Sequence, residues 1–166
     1  MKGLLLTIGS LVAVLALAVG LDSAFAANHT SAAAAKVAVA SSGLGRVLVD
    51  GRGRTLYLFG KDARGKSSCA GKCASFWPPL ITSGKPVATA GAKASLLGTT
   101  RRADGRLQVT YDHHPLYTFV KDTRKGQTNG EGLNVFGAEW DAVSAAGAKI
   151  AKTTASSGPA PGGYGY

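Results

Sequence analysis

Acidic residues are scarce. The 166-residue chain carries nine Asp or Glu against nineteen Lys or Arg, for a net charge of +10. Cysteine is scarcer still, at two, which excludes a disulfide-dense miniprotein. Only one long uncharged apolar run occurs, near the amino end, so the chain does not read as a multi-span membrane protein. Its 23 glycines follow no three-residue period and no heptad pattern runs through it, which removes collagen and coiled coil. Also missing are Gly-x-Ser-x-Gly, His-Glu-x-x-His and a phosphate loop, the common nucleophile, zinc and nucleotide signatures. What is present is 45% apolar residues, too many for wholesale disorder.

Residues 1–26 read as a signal peptide. Lys2 precedes an apolar run over 3–21, and Ala24-Phe25-Ala26 offers a small-x-small cleavage site where the run ends. The run exceeds the usual signal core, so a retained anchor is the alternative. Cleavage after Ala26 removes one basic and one acidic residue, Lys2 and Asp22, and leaves the charge at +10. No cysteine follows the run until Cys69, which excludes attachment through an N-terminal lipidated cysteine. Residues 27–35 are small and polar and read as a flexible linker. Residues 151–166, rich in Ser, Gly and Pro, read as a disordered tail.

Between these ends, over 36–150, the patterns are those of β-strands. Two β-prone runs, 46–50 and 55–59, flank Gly51-Arg52-Gly53 and predict a hairpin. Runs at 107–111 and 115–119 predict a second, with Asp112-His113 as a loop needing positive φ. Residues 96–99 read as a short connection and 102–106 as a turn. The hairpins look like copies: the segment 57–62 (Tyr-Leu-Phe-Gly-Lys-Asp) matches 117–122 (Tyr-Thr-Phe-Val-Lys-Asp). Each is followed by a glycine (Gly65, Gly126) and a tryptophan (Trp77, Trp140). The fold class is therefore mainly β, one compact domain of two related hairpin-containing repeats, about 46–80 and 107–144.

Side chains alternate along a strand, so Tyr57 and Phe59 share one face and Leu56 and Leu58 the other. Tyr117 and Phe119 fall on one face in the same way, opposite Leu116 and Thr118. These aromatics, with Trp77 and Trp140, are the candidate core, each able to bury roughly 150–250 Å2. Asp62 and Asp122 precede their glycines at turn spacing: the carboxylate accepts backbone N–H groups and the glycine takes positive φ. The functional alternative for the pair is acid–base work or cation binding.

The Tyr-x-Phe-x-x-Asp pair, with Cys-Ala-Gly-Lys-Cys-Ala-Ser-Phe-Trp-Pro-Pro-Leu (69–80) after the first copy, resembles the bacterial secreted-repeat family of predicted lipoproteins carrying a Yx(FWY)xxD motif. The resemblance spans 36–144. It implies an exported β-rich repeat fold and brings no assigned activity. Two departures stand out. The lipidation cysteine is missing, and His113 stands in a hairpin loop where the family often has glycine.

Cys69 and Cys73 lie four apart, so a bridge between them requires a turn or a helical turn. In an oxidising compartment such neighbours pair, pinning the segment that leads into Phe76-Trp77-Pro78-Pro79, where the prolines stop a helix. The competing reading is a copper or thiol-redox site built on Cys69, Cys73 and His113 or His114. After cleavage, His29 would stand third in the chain and allow a square-planar Cu(II) or Ni(II) site. The dispersed basic residues predict attraction to anionic envelope polymers or a membrane surface. Nucleic acid is not an expected partner, since no nucleic-acid-binding fold is visible and export removes the usual substrate. The leading expectation is an exported, non-catalytic, envelope-associated binding or structural protein, without a cofactor. The copper or redox protein is second and a carboxylate enzyme last.

Overall fold

Two strand pairs related by repetition build the molecule. The computed structural model describes residues 33–150, which fall within one compact unit. Strands β1 (Lys36–Ser42) and β2 (Gly45–Asp50) form an antiparallel pair, Val39 opposite Leu48. After β3 (Tyr57–Phe59) come the short helix α1 (Lys72–Phe76) and strands β4 (Ile81–Thr82) and β5 (Val87–Ala88). A 3-10 turn (Ala94–Leu96) leads into β6 (Leu97–Arg101), antiparallel to β7 (Leu107–Tyr111) with Thr99 opposite Val109. The chain closes through β8 (His114–Pro115), β9 (Leu133–Val135) and β10 (Ala138–Ala142). The described residues are mainly β, with a disulfide beside the short helix α1.

Both predicted hairpin turns form, with different chemistry. Asp112 and His113 have φ of 45° and 65°, the two-residue loop that positive φ at both positions permits. The first turn is a residue longer: Gly53 alone takes positive φ, and Asp50 Oδ1 accepts the N–H groups of Arg52 and Arg54. Residues 96–99 depart from expectation. Leu96 closes the 3-10 turn, and residues 97–99 are not a mere connection but the start of β6, whose five residues pair along the whole of β7. Each repeat therefore begins one strand earlier than its motif, at β1 and β6. Ala35 is likewise already fixed, its N–H bonded to Thr82 Oγ1 and its carbonyl to Val87 N. The remaining linker residues before 33, the tail 151–166, the signal segment 1–26 and His29 lie outside the described residues.

The repeats exchange strands. β3 of the first copy pairs with β10 of the second, Leu58 opposite Asp141. The equivalent strand of the second copy pairs with residues 76–80 of the first: Thr118 N bonds Pro78 O, Val120 N bonds Phe76 O and Leu80 N bonds Leu116 O. Where the two copies meet, Tyr57 and Tyr117 bond each other reciprocally, N–H to carbonyl, at 2.9 and 3.0 Å. Alternation then sorts the side chains into two cores. Tyr57, Phe59, Tyr117 and Phe119 enter one, and Leu56, Leu58 and Leu116 the other.

Candidate binding groove

The repeated motif forms two crossed clamps. The Tyr57 hydroxyl donates to Asp122 Oδ2 at 2.6 Å, and the Tyr117 hydroxyl donates to Asp62 Oδ2 at 2.6 Å. Each carboxylate's other oxygen holds its own turn: Asp62 accepts Ser68 N–H and hydroxyl, Asp122 accepts Asn129 N–H and side-chain amide. Gly65 and Gly126 take positive φ inside those turns. Burial, then the hydrogen bond to Asp122 and its charge, pushes the Tyr57 hydroxyl well above the ordinary phenol range. Burial followed by the charge and hydrogen bond of Asp62 does the same to Tyr117. Both carboxylates are thus occupied by tyrosine and turn donors of this chain.

Between the clamps runs a four-ring stack. Trp77 and Trp140 lie face to face at 3.9 Å and 4°. Trp77 carries Phe119 on its outer face at 4.3 Å, and Trp140 carries Phe59 at 4.1 Å. Tyr57 and Tyr117 meet the tryptophans edge-on. Gly130 is pressed against this stack, where a β-carbon would stand 2.7 Å from Trp77 and 2.9 Å from Tyr57.

The copies differ in what joins Asp to Trp. In the first copy Cys69 and Cys73 form a disulfide, with α-carbons 5.3 Å apart, and both are buried. It staples α1, which ends where Trp77 N–H bonds Cys73 O and prolines follow. Arg102, a buried residue the sequence reading did not single out, holds this loop from the other repeat. Its Nη2 donates to Cys69 O and its Nη1 to Ser67 Oγ and Gln108 Oε1. In the second copy the joining segment is β9, turning through Phe136-Gly137 into β10.

A groove of about 550 Å3 opens between these two unlike connections. Lys72 and Phe76, one helical turn apart on α1, form one wall. Leu133, Val135 and Phe136 form the other, and Phe119 of the motif lies between them with Lys121 beside it. Phe76, Val135 and Phe136 are 41%, 41% and 38% exposed, three of the five large apolar side chains exposed among the described residues. The Phe76 and Phe136 rings are 6.1 Å apart. Phe136 has φ of 60°, a left-handed conformation that costs a bulky side chain roughly 1–2 kcal/mol and that Asn or Gly adopts readily. Lys61 approaches the same turn, its Nζ 3.6 Å from where a β-carbon on Gly137 would lie. No acidic residue lines the groove. Sequence reasoning missed Phe136; its signal is an aromatic before glycine between two β-prone runs, where turn chemistry asks for Asn or Asp.

The metal candidates stay apart. The bridged Cys69 and Cys73 present no thiolate, and His113 and His114 sit at the β7–β8 turn. Among the described residues no group of three or more His, Cys, Asp or Glu is placed to hold a metal ion. No helix among them is long and apolar enough to cross a membrane.

Two interlocked β repeats, crossed by Tyr–Asp clamps and stacked on paired tryptophans, define a duplicated β module. The chain belongs to the family described as a secreted repeat of unknown function, which matches residues 38–81 and again residues 98–144. Both matched spans take in the strand that precedes the motif hairpin, β1 and β6. No curated protein and no solved structure matches the chain. Family membership and the disulfide together indicate an extracellular or envelope location.

Proposed function

We propose that the protein is an exported, non-catalytic binding module of the cell envelope that holds its partner in the groove between α1 and the β9–β10 turn. Residues 1–26 act as a cleaved signal peptide that directs export. One observation carries this reading: a phenylalanine is kept in a left-handed turn, part-exposed, facing a second exposed phenylalanine across a lysine-rimmed groove. Backbone strain of this kind persists where the surroundings enforce it, and it gathers at ligand sites. The repeated geometry of the clamps and the ring stack supplies a stiff frame for the unlike connections.

Retention of the full chain on purified envelopes of the producing cell tests this. Phe136→Asn, which suits the turn, should lower retention at least fivefold. Unchanged retention would remove the groove from the function.

A further inference from the structure

We infer that the groove's partner is an anionic phospholipid bilayer, met at its headgroup boundary. This rests on the groove being the binding face and names what it binds. The lining is amphipathic in a particular way. Phe76, Val135 and Phe136 offer exposed apolar surface, while Lys72, Lys121 and Lys61 stand around them. A hydrophilic polyanion would use the lysines and leave the aromatic rings in water. A neutral apolar ligand would use the rings and leave the lysines idle. A bilayer carrying acidic headgroups uses both: aromatic and aliphatic side chains enter the acyl boundary, and lysines reach phosphates at the interface. The whole chain carries +10 and no carboxylate lines the groove, which suits an anionic partner.

The arrangement also gives depth control. Phe136 stands at the tip of a two-residue turn and Phe76 at the last residue of a disulfide-stapled helix. Two part-exposed rings on such short elements can meet an interface at the groove's mouth without opening the fold. The buried Trp77–Trp140 stack behind them stays within the protein.

The test is sedimentation of the full chain with vesicles of phosphatidylcholine alone or with about one third phosphatidylglycerol, and with soluble polyglutamate as a hydrophilic polyanion. The wild type should bind the phosphatidylglycerol vesicles, with little affinity for phosphatidylcholine alone. Each lysine at an anionic surface contributes about a fivefold effect, so Lys72→Gln with Lys121→Gln should weaken binding at least tenfold. Phe136→Asn and, separately, Phe76→Ser should each weaken it about tenfold at constant charge. Thermal melting of each variant shows whether the fold is kept, and the two phenylalanine variants lie on different elements.

Polyglutamate binding as tightly as the vesicles, or vesicle binding indifferent to both phenylalanine changes, overturns the lipid assignment. If Phe136→Asn abolishes envelope retention while vesicles do not bind at all, the lipid assignment falls and the groove stands with a different partner. If vesicles bind through Phe136 but envelope retention ignores it, the groove binds lipid without serving the proposed function.

Discussion

At the scale of single residues, the tyrosine and aspartate of the repeated motif act across copies rather than within one. Tyr57 is a buried donor to a carboxylate 65 positions away, and Tyr117 mirrors it. A hydrogen bond to a charged group contributes about 1.5–3 kcal/mol, and residues that share it are energetically coupled. A double-mutant cycle of Tyr57→Phe with Asp122→Asn should therefore show coupling of about 1–3 kcal/mol in urea unfolding. Tyr57→Phe with Asp62→Asn, the pair within one copy, should be additive. The clamps also set an alkaline limit. Unfolded tyrosines ionise near 10, whereas both clamp hydroxyls are held higher by burial and by their carboxylates. Above pH 10 the folded state thus keeps protons that the unfolded state gives up. Stability contributed by these groups is complete below that pH and falls as pH rises toward the folded values. Urea midpoints measured from pH 8 to pH 11.5 should decline steeply at the alkaline end, and tyrosinate absorbance from the clamps should appear only with unfolding.

At the scale of elements, the strands were legible where period-two alternation was strong. Residues 46–59 and 107–119 announce themselves through β-branched and aromatic residues around turn dipeptides, and the Asp112-His113 loop follows from its length. β6 was hidden because Gly98 and polar threonines carry no hydrophobic pattern; its pairing to β7 comes from tertiary context. The strand exchange was hidden for a different reason. Alternation tells which residues share a face, not which strand lies next door, so β3 beside β10 could not be read from either repeat alone. The Cys spacing, by contrast, foretold the bridge and a turn or helical turn to close it, and the structure has the helical form, α1. The small ring should contribute about 2 kcal/mol through loop closure. Replacing Cys69 and Cys73 with Ala should lower stability by about that amount and, by freeing α1 with Phe76 and Lys72, weaken envelope retention as well. Retention fully preserved in the double variant would show that α1 is not a wall of the binding face.

At the scale of the whole molecule, what repeats makes the frame and what differs makes the groove. The clamps, the ring stack and the reciprocal Tyr57–Tyr117 pairing draw equally on both copies; the stapled helix belongs to the first copy and the β9–β10 turn to the second. The motif residues drew the eye in the sequence because they recur, and recurrence marked the core. The groove residues do not recur. Their juxtaposition needs the exchange of strands that brings residues 72–76 beside 133–136, so no sequence window contains the site. Phe136 is where the account is most exposed. An aromatic ring serving as core costs about 3–5 kcal/mol when cut away, whereas one held in a strained turn for a partner costs little, because Asn relieves the backbone. Equilibrium urea unfolding of Phe136→Asn, compared with its retention on envelopes, separates the two. We predict stability within about 1 kcal/mol of the wild type together with lost retention. A fall of 3 kcal/mol or more, or retention equal to the wild type, would contradict the account.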